Sequence, residues 1–208
     1  MNATFRRFPC MAAGFLVAAA FCCAAPSAAT DRCDSVTIAV DVRDEARTPI
    51  DVLAKAKREL SRIYHHANLC VYFTEAGPAP AGTRITLHLT IVSDPRADMR
   101  LTAAGFAHRG PDSRERYAQV FDSRVTAVSG FWGVSKGTVL GYVMAHEMGH
   151  LLLPFGHSAS GIMRATWDPE AVRKMSQGVL FFRQTQVAAM HARLMETPPG
   201  LGPDEGQQ

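Results

Sequence analysis

Residues 146–150 read His-Glu-Met-Gly-His, and residues 157–163 read His-Ser-Ala-Ser-Gly-Ile-Met. On a helix, His146 and His150 lie about 40° apart around the axis, so both imidazoles project from one face. Each can then reach one metal ion at about 2.0–2.1 Å, the distance zinc takes to nitrogen. Glu147 sits one residue on, beside the metal without binding it, where it can take a proton from an activated water. Val139, Leu140, Val143 and Met144 precede the motif and Leu151, Leu152 and Leu153 follow it, so it lies in an apolar, core-facing helix. Buried polar side chains need partners, because burying them unpaired is costly. The alternative to a metal is a satisfied His/Glu network in the core.

Two histidines do not complete a catalytic zinc site, which takes three protein ligands and keeps a fourth position open. His157 is the best third ligand. Pro154 stops the helix and Gly156 permits a sharp turn that brings the chain back. The alternative is a surface loop histidine. Met163, at the tip of a tight Gly-Ile-Met turn, is expected to pack beneath the histidines as a soft floor without ligating. Glu170 stands twenty residues after His150 and is a competing third ligand. Its setting, Asp168-Pro169-Glu170, reads instead as a capped helix start, where acids are favoured anyway. Arg164 could polarise a carbonyl, although a solvated loop arginine is the plainer reading. His65, His66, His88, His108 and His191 read as surface or half-buried residues.

The elements that must position these groups follow from periodicity. Residues 35–42 alternate with β-branched side chains and read as a strand. Residues 50–67 carry Val52, Leu53, Ala56, Leu60, Ile63 and Tyr64 at helical spacing, and 69–74 form a second strand. Strand, helix, strand makes a βαβ unit, so the two strands should be parallel. Residues 77–82 form a turn, 84–92 a strongly alternating strand, 102–108 a short edge strand, 109–115 a polar loop and 117–122 another strand. The motif helix spans 137–153, a loop 154–167, and a short helix begins after Asp168 with Pro169 at its first position. Residues 185–195 form a last helix, and 197–208 read as a disordered tail.

HExxH, a nearby third histidine and a methionine-containing turn resemble the metzincin clan of zinc metallopeptidases. The usual HExxHxxGxxH pattern has glycine where this chain has Leu153, and the third histidine comes one residue late, with Gly156 taking the turning role. His157 to Met163 also resembles the H-S-x-x-G-I-M of small exported bacterial zincin-like proteins. The resemblance implies an α+β fold, with a twisted, mostly parallel sheet, an antiparallel edge strand, two long packed helices and a small, mostly helical C-terminal part. It implies one catalytic domain over 30–196, divided at 153/154, with one catalytic zinc ion. His146, His150 and His157 would be its ligands, Glu147 the general base and Met163 the Met-turn residue. The activity implied is peptide-bond hydrolysis. Substrate would pair with the edge strand at Ala103, Gly105 and Ala107. Two other classes stay open: a zinc-binding module with little hydrolytic activity, and a zinc amidase acting on a non-protein substrate.

The chain has 208 residues, 47% of them hydrophobic, enough for one globular domain with a sizeable core. A net charge of +3 and 8% aromatic residues give no sign of a nucleic-acid partner. A peptide or protein substrate and a monomeric state are expected. Arg6 and Arg7, an apolar run over 11–25 and Ser27-Ala28-Ala29 read as a signal peptide over 1–29, cut near Ala29/Thr30. An uncleaved anchor is the alternative, though the run is short for a membrane span. The mature protein is thus expected to be periplasmic or secreted. Cys10, Cys22 and Cys23 lie in the leader. Cys33 and Cys70 remain, near the same end of two parallel strands, and are expected to form a disulfide; two buried thiols are the alternative.

Overall fold

The alternation of Ile85, Leu87, Leu89 and Ile91 with Thr86, His88 and Thr90 buries one face of a strand and leaves the other half-exposed. That strand is the middle of a five-stranded sheet. The computed structural model describes residues 35–96, 103–109 and 116–196, all within the unit Cys33–Gln208. The strands are β1 (Val36–Asp44), β2 (Leu69–Phe73), β3 (Ile85–Val92), β4 (Gly105–Arg109) and β5 (Arg116–Phe121). Their spatial order is β2-β1-β3-β5-β4. The β1–β2, β1–β3 and β3–β5 pairs are parallel. β4 alone runs antiparallel, opposite β5, and forms the edge. The edge strand begins at Gly105, and Ala103 and Ala104 lead into it.

Among the described residues five α-helices complete the fold: α1 (Ile50–His66), α2 (Asp122–Trp132), α3 (Lys136–Leu152), α4 (Pro169–Ser176) and α5 (Gln184–Glu196). Ala56, Leu60, Ile63 and Tyr64 form the buried stripe of α1. They join Ile38, Val40, Leu87 and Leu89 of the sheet and Val139, Leu140 and Met144 of α3 in one core. Fully burying a Leu or Ile side chain contributes about 1.5–3 kcal/mol, so this shared layer is what fixes α3. Two glycines bring α1 and α3 unusually close. A Cβ on Gly141 would lie 2.7 Å from the Ala56 carbonyl oxygen and 2.7 Å from Glu59 Cβ. One on Gly137 would lie 2.9 Å from the Val52 carbonyl oxygen. The buried Tyr64 hydroxyl donates to the Ala145 carbonyl at 3.1 Å, a tie one residue before His146.

The ends of the helices follow their capping chemistry. The Ser135 side chain caps α3 by accepting from the Thr138 amide, and Asp168 caps α4 by accepting from the Ala171 amide at 2.8 Å. One element was missed. Helix α2 buries Val125 completely and packs Val128 and Trp132 partly against the core, a stripe only two turns long. Residues 1–34 and 197–208 lie outside the described residues, which leaves the expected leader, the expected tail and Cys33 undescribed. Cys70 stands on β2 opposite Thr37.

Candidate metal centre

Helix α3 places His146 and His150 one turn apart on the face that looks into a cleft of about 1250 Å³. His157, on the loop after the helix, returns to the same point. The Nε2 atoms of His146 and His150 are 3.1 Å apart, and those of His150 and His157 are 3.3 Å apart. The ligand atoms of all three lie within 4.8 Å of one another. Tetrahedral zinc at about 2.05 Å from nitrogen sets its ligands about 3.3 Å apart, so the His146–His150 and His150–His157 separations match a metal's coordination shell.

Proton bookkeeping supports the same conclusion. His146 Nδ1 lies 2.9 Å from the Ile162 carbonyl oxygen, so that nitrogen carries the proton and donates. A neutral His146 therefore turns a bare lone pair on Nε2 toward His150. One proton on His150 Nε2 can serve only one of its two short contacts well, and a proton on His157 Nε2 leaves two lone pairs facing each other. A cation at the shared point satisfies all three at once. The three side chains can hold a metal ion.

Electrostatics keeps the donors available. Burial, with His157 adding to it and the Ile162 carbonyl opposing it, lowers the His146 imidazole to about 4. Burial, then the neighbouring imidazoles and Arg109, lowers His150 to about 4 as well. Both are thus neutral at pH 7 and need shed no proton to ligate. Glu147 moves the other way: burial raises its carboxyl to about 8 in the metal-free chain. A cation at the histidines favours its ionised form.

The surroundings orient the ligands. Ile162 accepts from both His146 Nδ1 and Trp167 Nε1, the latter at 3.0 Å. Met163 is fully buried, and its sulfur lies against the Cα of Gly149, on the turn between the two helical histidines. A side chain on Gly149 would displace it. Gly161 has φ of 78°, and a Cβ there would sit 2.8 Å from the Phe181 carbonyl oxygen, so the turn requires glycine. The Ser158 amide donates to the Met163 carbonyl at 2.8 Å and closes the loop behind His157. The Gln186 side-chain amide donates to Ser158 Oγ at 3.1 Å from α5.

The other named residues divide clearly. Ala103, Gly105 and Ala107 line the cleft beside Glu147. Gly105 is in direct contact with the Glu147 side chain. Arg164 also lines the cleft and pairs with Asp168 at 2.6 Å. Glu170 is not brought to the histidines; it pairs with Arg173 and Lys174 on the exposed side of α4. His108 lies tilted against Tyr117 on the sheet, His88 meets Asp41, His66 stacks on Phe181 and His191 meets the Ala67 carbonyl.

Several contributors escaped the sequence reading. Arg109, read as the start of a loop, ends β4, and its guanidinium donates to the carbonyls of His150 and Leu153 at the end of α3. It caps α3 from the edge strand, but nothing local in the sequence signals so distant a partner. Trp132 and Trp167 supply aromatic walls to the cleft. The glycine inside the HExxH motif was the one available hint of a close neighbour under the helix. No protein-family model matches this chain, and no curated protein matches it either.

Proposed function

We propose that this chain is an exported, zinc-dependent peptidase of metzincin-like type. The observation that supports it best is three convergent Nε2 atoms with a buried, unligating carboxylate beside them in an open cleft. A purely structural zinc closes all four positions with protein ligands and has no use for such a carboxylate. His146, His150 and His157 would hold the ion. When bound, zinc lowers the pKa of water toward about 7 and polarises a carbonyl oxygen. The chain's own residues do the rest. Glu147 takes the proton of the attacking water and delivers it to the leaving nitrogen. The Ile162 carbonyl fixes the tautomer of His146. The free edge of β4 offers backbone groups to an extended peptide, and Trp132, Phe155 and Trp167 wall the cleft. The basic start at Arg6 and Arg7 and the apolar run after it support export, and an N-terminus at Thr30 in protein recovered outside the cytoplasm checks it.

The test combines metal analysis with one variant. Purified protein should carry about one zinc per chain. Glu147→Ala should retain that zinc and lose cleavage of a peptide library by at least about 100-fold. A variant that cleaves as fast as wild type removes Glu147 from the mechanism. A zinc-loaded wild type that cleaves no peptide favours a binding module or a non-protein amide substrate.

A further inference from the structure

Glycine inside a strand weakens it, and often marks a close approach by another group. Gly105 opens β4 opposite Val120 of β5. Its φ is not positive, so the backbone there would accept any residue. The space would not. A Cβ on Gly105 would lie 2.6 Å from Glu147 Cγ, 2.6 Å from Glu147 Oε1 and 2.7 Å from the Gln119 carbonyl oxygen. Glu147 itself is only 6% exposed and its open side is the cleft, so a side chain at Gly105 would push the carboxylate away from its seat and into the space where it is to act.

We propose that Gly105 is a positioning residue for Glu147: the bare Cα of the edge strand seats the carboxylate, and a side chain there displaces it. Two elements far apart in sequence share the task. Helix α3 supplies the carboxylate, and β4 sets how far it can swing. The proposal rests on the reading of Glu147 as general base for its catalytic consequence, but not for the contact itself. A displacement of about 1 Å in a reacting group can cost about 100-fold in rate.

Two measurements test it. The first is a double-mutant cycle on thermal stability, with Gly105→Ala made in wild type and in Glu147→Ala. The substitution should lower Tm by at least about 4 °C more in wild type, because the Glu147 atoms it strikes are absent from the other background. An equal loss in both, or failure to fold in both, makes the Gln119 carbonyl the obstacle and overturns the proposal. The second is kinetic. Gly105→Ala should lower kcat by about tenfold to 100-fold with zinc content unchanged, whether or not KM also rises. A raised KM at unchanged kcat assigns Gly105 to substrate binding alone and also overturns it. If wild type hydrolyses no peptide, the peptidase reading fails, while the thermal cycle still decides the contact.

Discussion

The three histidines reach one point from two very different regions. His146 and His150 belong to α3, whose residues from Gly137 to Gly149 are all buried. That helix is held by the shared core, by glycine-mediated approach to α1 and by the Tyr64 hydroxyl. His157 belongs to an exposed loop beside Phe155, which is itself 45% exposed. The loop is tied through Ser158, by the Met163 carbonyl on one side and Gln186 on the other. Folding alone therefore places two of the histidines, while a few hydrogen bonds place the third. A bound metal would then couple to the ordering of the loop far more than to that of the helix.

The sharpest way to break this contrast is to damage each region separately. Gly141→Leu drives a branched side chain into the Ala56 carbonyl and Glu59, and neither backbone can yield. Overpacking of this kind costs about 3 kcal/mol, so urea denaturation of the metal-free chain should show a loss of that size. A loss below about 1 kcal/mol would mean that α1 and α3 part easily, and the helix would not be the rigid side. His157→Ala should do the reverse. Metal-free stability should stay within about 0.5 kcal/mol of wild type, as for an exposed residue. Zinc affinity, measured by competition with a chelator, should fall by more than about 100-fold, beyond what loss of an outer-shell partner costs. Glu170→Ala, confined to its pairs with Arg173 and Lys174, should leave affinity unchanged.

The same contrast explains what the sequence could disclose. Residues whose role depends on their own helix or strand were readable: the His146–His150 spacing, the alternation in β3, Asp168 with Pro169 at the start of α4. The edge strand was readable as an element, yet its function toward α3 was not. Gly105 and Arg109 act on Glu147, His150 and Leu153, about forty residues away, and such pairings leave no local period. Helix α2 was missed because its stripe of Val125, Val128 and Trp132 is only two turns long and only Val125 is fully buried. The turn from Leu153 to His157 has leucine at the position where glycine is usual, and Gly156, expected to take the turning role, has no positive φ; His157 still arrives, because Leu153 is extended with its amide bonded back to Gly149. An extended residue at the end of the helix turns the chain without needing a left-handed conformation.

The smallest effect concerns pH, and it belongs to the helix side alone. In the metal-free protein, His146 and His150 are lowered to about 4 from ordinary values near 6.5. Between those limits the unfolded chain binds more protons, so stability falls as pH drops from 6.5 to 4. Glu147 is raised to about 8 from 4.5, so between those limits the folded chain holds the extra proton and stability falls as pH rises. Below 6.5 the two histidines outweigh the one carboxyl; above 6.5 the carboxyl acts alone. Stability of the metal-free chain should therefore peak near pH 6.5. Glu147→Gln has nothing to ionise and should abolish the decline between pH 6.5 and 8 while keeping the acid limb. Denaturation midpoints measured across pH 4–8 check both limbs. An alkaline decline that survives in Glu147→Gln would place its source in a group other than Glu147. Zinc should flatten the alkaline limb as well, because a cation at the histidines removes the penalty on an ionised Glu147.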